Sequence, residues 1–283
     1  SCLAADLCQD SKVFTSVNSF VASANCIEYV GAKTYFCDID QDSLNMCPID
    51  LEGRINSIGG VSAIIPVHFS GAPCDMVKIQ SVAKKHNAIV IEDASHALGG
   101  QYVNGKNIGN CMYSDLTVFS LHPVKGVTSG EGGVITTNNK DLYKRLIKLR
   151  SHGIYKGNFE FPGMSLMDDG LINKKEASDE DGALNPWYYE MQELGYNYRI
   201  TDIQCALALS QLNKLDLFIK RRREISKLYD KLFKKTKLVN LTQTNFREVS
   251  AHHLFVLRID YKSTGISRSK FMALLSSQGI GTQ

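Results

Sequence analysis

The chain lacks a strong excess of charge of either sign, since 32 Lys and Arg face 29 Asp and Glu for a net charge of +3 over 283 residues. A nucleic-acid-binding surface usually shows a marked basic excess or stripe, so this balance argues against a nucleic-acid partner. The chain also lacks any apolar run near the ~20 residues that a membrane-spanning helix needs. We therefore predict a protein that binds neither nucleic acid nor membrane.

Closely spaced cysteine pairs are lacking as well. The eight cysteines are irregularly spaced and include no CxxC pair. Zinc sites and disulfide frameworks depend on regular spacing, so we predict neither a metal site nor a disulfide frame. Reduced thiols are typical of the cytoplasm, and a cytoplasmic enzyme is the class that this cysteine usage favours.

One basic cluster, KRRR at residues 220–223, interrupts the balanced charge. It lies in an amphipathic helical pattern, so we predict that an apolar stripe is buried and that the four charges face water. The predicted stripe consists of Leu217, Phe218, Ile225, Leu228 and Leu232.

Apolar strand-like runs alternate with helical stretches in the first part of the chain. Runs at residues 31–39, 62–69 and 88–93 have strand character, and DMVKIQSVAKKHN at residues 75–87 has helical character. This alternation predicts an α/β fold with a mostly parallel sheet flanked by helices.

Lys125 lies in FSLHPVKGVTSGEGG, between two predicted strands at residues 116–120 and 132–137. Several glycines in this connection permit close approach of the backbone to a bound molecule. The pattern is typical of a lysine that acts chemically. A surface lysine in a glycine-rich hairpin is the alternative.

Asp93 follows Glu92 at the end of the apolar run at residues 88–93, and His96 comes three residues later. Open α/β sheets bind ligands at the carboxyl ends of their strands, which places these side chains at a candidate site. One suitable partner for such a carboxylate is the protonated ring nitrogen of a pyridine cofactor. The alternative is an Asp that caps a following helix.

The segments IEDASHALGG, FSLHPVKGVTSGEGG, RSHGI and ELGYNYRITDIQCALALSQL together carry a resemblance. The chain resembles the DegT/DnrJ/EryC1/StrS family of sugar aminotransferases, which use pyridoxal 5'-phosphate (PLP), from about Phe14 to its last residue. This resemblance implies the fold-type I aminotransferase architecture.

The resemblance also implies roles for three residues. Lys125 matches the Schiff-base lysine that binds PLP and transfers protons. Asp93 matches the carboxylate that keeps the pyridine nitrogen protonated, so that the ring accepts electrons. Ser120 matches a serine that binds the cofactor phosphate, and a serine that bonds its own backbone is the alternative.

Three further cofactor-binding positions depend on the match alone. Phe20 matches an aromatic side chain that stacks on the cofactor ring, although an ordinary core residue would fit its apolar surroundings. His96 matches a His or Gln position near the cofactor, and a structural histidine is the alternative. Asn197 matches an asparagine that reaches the cofactor phosphate of the neighbouring subunit, which implies a homodimer with a shared active site.

The resemblance also sets expectations for domain organisation. Residues 1–210 match the large PLP-binding domain, and residues 211–283 match a helical linker and part of a small C-terminal α+β domain. Relatives carry a phosphate-binding turn before the helix that residues 1–10 are expected to continue, so we expect the chain to be a piece of a longer protein. The polar segment at residues 155–185 is interpreted as a lid near the sugar-nucleotide site.

The function implied is transfer of an amino group, from L-glutamate, to the 4-keto carbon of a UDP-linked 4-keto-6-deoxy-N-acetylhexosamine, in amino-sugar biosynthesis of the pseudaminic acid type. Arg199, His152 and Trp187 are candidate substrate-binding residues by position. Action on another nucleotide-linked keto-sugar and a catalytically silent sugar-nucleotide-binding scaffold are the alternatives. PLP-dependent sugar deoxygenation is disfavoured, because family members of that kind have His at the position of Lys125.

Overall fold

The computed structural model describes residues 1–155, 185 and 187–282. A six-stranded sheet forms the centre of the fold, in the order β2-β1-β3-β4-β5-β6. Its strands are β1 (Lys12–Ser16), β2 (Lys33–Cys37), β3 (Ala63–Ile65), β4 (Ile89–Asp93), β5 (Leu116–Ser120) and β6 (Gly133–Thr136). Neighbouring strands run parallel except for β5 and β6, which confirms the predicted mostly parallel sheet.

Helices and short strands complete the described part of the chain. The helices are α1 (Ala22–Glu28), α2 (Pro48–Ile58), α3 (Met76–Lys85), α4 (Lys140–Leu149), α5 (Asp202–Leu212), α6 (Leu215–Phe233), α7 (Tyr261–Thr264) and α8 (Arg268–Ser277). Two antiparallel pairs join β7 (Ile154–Tyr155) to β8 (Glu190–Met191) and β9 (Val239–Leu241) to β10 (Leu257–Ile259). Single 3-10 turns lie at Phe69–Gly71 and Thr244–Phe246.

Both faces of the central strands of the sheet are buried. Phe14, Ile64 and Val90 belong to one core cluster, whereas their chain neighbours Val13 and Ile91 belong to another. Successive side chains of a strand point to opposite faces, so β1, β3, β4 and β5 each supply both clusters. A parallel sheet covered on both faces requires such continuous apolar runs, which is why the strands were predictable.

The predicted helix at residues 75–87 is observed as α3, Met76–Lys85. Its amino end is capped by Asp75, whose carboxylate accepts a hydrogen bond from the Lys78 backbone N at 3.2 Å. The expectation of a helix through residues 1–10 is wrong, because that stretch forms turns. Backbone bonds such as Ala5 N to Ser1 O and Leu7 N to Cys2 O hold these turns closed.

The predicted orientation of α6 is also wrong. Leu217 and Leu232 of the predicted buried stripe are 65% and 58% exposed, whereas Ile219 and Ser226 are buried. The helix therefore packs by a neighbouring face that includes Arg222. Arg222 is partly buried and donates from Nη1 to the His252 carbonyl oxygen at 3.1 Å, so it does not face water as predicted.

The predicted division into residues 1–210 and 211–283 stays a prediction. The interpretation of residues 155–185 as a lid falls almost wholly outside the described residues. No helix in the described part of the chain combines the length and the apolar character that crossing a membrane requires.

Candidate active site

The carboxyl ends of β4 and β5 lie side by side and define the candidate site. Asp93 ends β4 and pairs in register with Val118 of β5, while Ser120 ends β5. The connection from β5 to β6 carries Lys125. The sheet therefore brings Asp93, Ser120 and Lys125 to one edge, where open α/β sheets bind ligands.

The Asp93 carboxylate is held by two donors. Ser23 Oγ of α1 donates to Oδ2 at 2.6 Å, and the Ser95 backbone N donates to Oδ1 at 3.0 Å. Turns rather than a helix follow β4, so the helix-cap alternative for Asp93 is wrong. These two bonds fix the position of the carboxylate, which suits Asp93 to hold a cation.

Lys125 is a partly buried amine in a fixed turn. Its backbone N donates to the His122 carbonyl oxygen at 2.9 Å, and its side chain lines a cleft. Burial lowers the pKa of the Lys125 amine, and the charge of Asp93 opposes this shift. A lysine in this environment gives up its proton more readily than the surface lysine considered as the alternative.

The cleft around Lys125 combines residues from three parts of the chain. The sheet edge contributes the first group, α6 the second, and the loop before β10 the third. These residues are Ser95, His96, Leu98, Ser120, Lys125 and Gly126, then Leu215, Phe218, Ile219 and Arg222, then Ala251 and His253.

His96 and His253 pack against each other in this cleft, with ring centroids 4.3 Å apart. Burial, and then the charge of Lys125, lowers the pKa of His96 to about 4. Burial and the charge of His96 lower the pKa of His253 to about 3. His96 Nδ1 accepts a hydrogen bond from the Ser70 backbone N at 3.3 Å, so the neutral ring carries its proton on Nε2. Both imidazoles are therefore neutral near pH 7.

Ser120 bonds the local backbone, which is the alternative to phosphate binding: its Oγ accepts from the His122 backbone N at 3.3 Å. This bond uses the hydroxyl oxygen as an acceptor. The hydroxyl can donate its own proton at the same time, so the local bond is compatible with phosphate binding.

Phe20 and Asn197 lie outside the cleft lining. Phe20 is 71% exposed in the turn before α1, so it is not a core residue. Its carbonyl oxygen accepts from the backbone N of Ser23, the residue that bonds Asp93. Asn197 is exposed and forms an isolated bridge with Ser151. The stacking and neighbouring-subunit roles of these two residues stay predictions.

The other three candidates are placed outside the cleft lining as well. His152 has a positive φ of 61° beside Gly153, and its backbone N donates to the Tyr196 carbonyl oxygen at 2.8 Å. Arg199 and Trp187 are exposed. Their roles in substrate binding also stay predictions.

Sequence reasoning missed three residues of the site. Ser23 lies 70 positions from its partner Asp93, and no local pattern signals that contact. Arg222 belongs to the KRRR cluster, and nothing in the sequence distinguishes it from its three charged neighbours. His253 follows another histidine in AHHLF, and this pair of histidines was the one available signal.

Glu92 lies on the opposite face of β4 from Asp93 and does not belong to the cleft. Its buried carboxylate accepts hydrogen bonds from His68 Nε2 at 2.7 Å and Tyr102 Oη at 2.8 Å, and from Ser114 Oγ. Burial raises the pKa of Glu92, but these donors outweigh it and hold the pKa below its usual range. The network fixes β4 from behind the site.

Replacing Tyr102 by Phe should therefore destabilise the fold. The variant keeps the ring but removes one donor from the buried Glu92 carboxylate, so we expect the free energy of unfolding to fall by about 1–3 kcal/mol. Urea unfolding measures this change. Tyr143→Phe, at an exposed position on α4, is the matched control, and equal stability of the two variants would contradict the assigned network.

Comparisons with known proteins agree with this geometry. The family model described as the DegT/DnrJ/EryC1/StrS aminotransferase family matches residues 1–283. The chain is 36% identical over 272 residues, 96% of its length, to the UDP-4-amino-4,6-dideoxy-N-acetyl-beta-L-altrosamine transaminase of Campylobacter jejuni, of which it covers 64%.

The fold is shared with solved structures, two of which are sugar-related aminotransferases. Helicobacter pylori PseC, an aminotransferase involved in the biosynthesis of pseudoaminic acid, superposes with a TM-score of 0.77 at 28% identity, over 95% of this chain and 63% of PseC. The putative sugar aminotransferase Spr1654 of Streptococcus pneumoniae, in its PMP form, gives a TM-score of 0.80 at 26% identity, over 99% of this chain and 69% of that one.

The chain thus spans about two thirds of the length of these relatives. The match of the family model over all 283 residues agrees with the parallel sheet and with the lysine and carboxylate at its edge. The chain belongs to the DegT/DnrJ/EryC1/StrS aminotransferase family.

Proposed function

We propose that the complete protein transfers an amino group from L-glutamate to the 4-keto carbon of a UDP-linked 4-keto-6-deoxy-N-acetylhexosamine, with PLP as cofactor. The observation that carries this proposal is the partly buried Lys125 amine in the cleft at the sheet edge that also carries Asp93. Burial lowers the pKa of this amine, and the charge of Asp93 raises it. The names of the Campylobacter and Helicobacter relatives support the choice of sugar. The PMP form of the Streptococcus relative supports the choice of cofactor.

The residues at the site fit PLP. Lys125 supplies an amine for covalent attachment, Asp93 a carboxylate fixed by two donors, and Ser120 a hydroxyl for a phosphate oxygen. Bound PLP would supply the electron sink that allows a proton to leave the carbon next to the amino group. The negative charge of Asp93 would keep the ring nitrogen protonated, which sustains that sink.

Lys125 has a second role once the amino donor occupies the site. Its Nζ would then accept the proton that leaves the donor carbon and hold it for the return transfer that completes amino-group exchange. The lowered pKa of Lys125 helps here, because an amine can accept a proton only in its neutral form. His96 and His253 border the same cleft, and because both are neutral they add no positive charge beside this amine.

The direct test is conversion of the keto-sugar by the full-length protein. We expect incubation with PLP, L-glutamate and the UDP-linked 4-keto sugar to give the 4-amino sugar and 2-oxoglutarate in equal amounts, measured by mass spectrometry. Amino transfer to a different nucleotide-linked keto-sugar alone would contradict the proposed substrate. Binding of the nucleotide sugar without any amino transfer would favour a silent scaffold.

We also propose that two copies of the protein share each active site. Large apolar side chains are exposed between residues 187 and 212, among them Leu194 at 83% and Ile203 at 85%. Helix α5 buries only Ala208 of its side chains. An apolar surface of this kind is typical of a subunit interface, and it adjoins the exposed Asn197.

Mixing two inactive variants tests the shared site. If Asn197 serves the partner's site, a mixed dimer of Lys125→Ala and Asn197→Ala subunits contains one intact site. After random subunit exchange we expect about a quarter of wild-type activity. Co-purification of differently tagged subunits of the two variants is the control for exchange. No recovery despite proven exchange would show that Asn197 acts within its own subunit or not at all.

A further inference from the structure

Arg222 is a partly buried cation without an ion-pair partner among the residues that the structure describes. Two other partly buried arginines, Arg145 and Arg247, each pair with a carboxylate, as in the 2.9 Å contact of Arg247 with Asp230. Within the described residues Arg222 donates to one group, the carbonyl oxygen of His252, at 3.1 Å. Its charge therefore lacks the compensation that the other two receive.

Arg222 lines the same cleft as Lys125, so the uncompensated charge lies at the candidate site. Burial lowers the pKa of Arg222, and no acidic group in the described part of the chain opposes the shift. A guanidinium nevertheless stays protonated in proteins and carries five N–H donors in a planar fork. A charge removed from water in this way needs an anion nearby, and the cleft lining that the structure describes contains no carboxylate.

His253 adds a second unsatisfied group beside Arg222. Its Nδ1 is buried and has no hydrogen-bond partner within the described residues. The ring is fixed, because its backbone N donates to the Ser70 carbonyl oxygen at 2.8 Å and its face packs on His96. The nearby Asp93 carboxylate is already held by Ser23 and a backbone amide. The cleft thus combines two cations and an orphaned imidazole nitrogen.

We propose that Arg222, with His253 beside it, binds the α-carboxylate of the amino donor. This inference rests on the proposed function. A guanidinium fork matches a carboxylate in bidentate geometry, which fixes the position and the orientation of the donor together. His253 Nδ1 completes the polar lining of the same cleft, as an acceptor or, when it carries the ring proton, as a donor.

The location of Arg222 favours the α-carboxylate over the other anions of the reaction. The α-carboxylate is bonded directly to the carbon that gives its proton to Lys125. The group that binds it must therefore lie in the same cleft as Lys125, as Arg222 does. The diphosphate of a nucleotide sugar is attached across the sugar ring from the reacting 4-carbon, so its binding residues must lie further from Lys125.

Two substitutions test the proposal in the full-length protein loaded with PLP. Arg222→Gln removes the charge, whereas Arg222→Lys keeps the charge but loses the fork. We expect the apparent dissociation constant for L-glutamate, measured from the single-turnover change in cofactor absorbance, to rise about 10- to 100-fold in Arg222→Gln and less in Arg222→Lys. Calorimetric binding of glutarate, an unreactive dicarboxylate, should weaken in the same order.

Arg221→Gln is the matched control, because Arg221 is exposed and pairs with Glu224 at 3.0 Å. We expect it to bind L-glutamate and glutarate as the wild type does. We also expect the PLP dissociation constant and the KM for the nucleotide sugar to stay unchanged in all three variants. Thermal unfolding checks that each variant is folded. If Arg222→Gln does not fold, the binding measurements on Arg222→Lys decide the proposal.

Three outcomes would overturn the proposal. They are unchanged glutamate and glutarate binding in folded Arg222 variants, a loss confined to the nucleotide sugar, and a loss confined to PLP. Failure of the proposed function is distinguishable from these, because wild-type protein would then bind PLP without responding to glutamate. Glutarate binding by the wild type and its loss in the Arg222 variants would still support an Arg222 carboxylate site in that case.

Discussion

Lys125→Ala should leave a folded protein that no longer transfers amino groups. We expect the rate of transfer to fall by about 10⁴-fold, because one side chain supplies both the covalent attachment of PLP and the proton transfer. Folding should persist, since the turn is held by the backbone N of residue 125 bonded to the His122 carbonyl oxygen. Truncation of a partly buried side chain leaves this bond in place.

The loss of the covalent link can be measured independently of activity. Borohydride reduction followed by mass spectrometry should find the cofactor on the Lys125 peptide of the wild type and on no peptide of Lys125→Ala. Lys144→Ala, on the exposed side of α4, is the control and should behave as the wild type does. A reduced cofactor attached to a different lysine would contradict the assignment of Lys125.

Asp93→Asn should give the second largest effect, a fall in amino transfer of about 10- to 1000-fold. This range follows from the 1–3 pKa units by which a nearby carboxylate shifts a partner's titration. Asparagine keeps the size of the side chain and an oxygen to accept from the Ser95 backbone N. We therefore expect PLP to remain covalently attached while the electron sink weakens.

The pKa of the bound cofactor separates this effect from structural damage. In Asp93→Asn the loss of the negative charge should lower the pKa of the ring nitrogen, which is followed by a pH titration of the absorption spectrum. Asp141→Asn, at an exposed position in the first turn of α4, should leave both the titration and the rate unchanged. An unchanged rate in Asp93→Asn would remove Asp93 from the mechanism.

The sheet edge that positions the site was predictable from the sequence. The apolar runs of β4 and β5 are short, continuous and bounded by turn residues, which is the pattern of strands buried on both faces. Parallel strands end at the same edge of a sheet. Asp93 and Ser120 each end a predicted strand, so the sequence places both side chains at that edge.

The far wall of the cleft was not predictable in the same way. An apolar stripe and a basic cluster on α6 suggested which face is buried, yet the contact between Arg222 and His252, thirty residues apart, selects a different face. The spacing of apolar residues shows which helix face could be buried, but tertiary contacts decide which face is buried. Ser23 was missed for the same reason, because its partner Asp93 is 70 residues away.

The measurement that tests the central claim most directly is the absorbance spectrum of the purified full-length protein with PLP, before and after addition of L-glutamate. We predict a visible absorption band of the protein-bound cofactor that disappears with glutamate in the wild type and never forms in Lys125→Ala. A folded wild-type protein that shows no such band would contradict the account and favour a scaffold without catalytic activity.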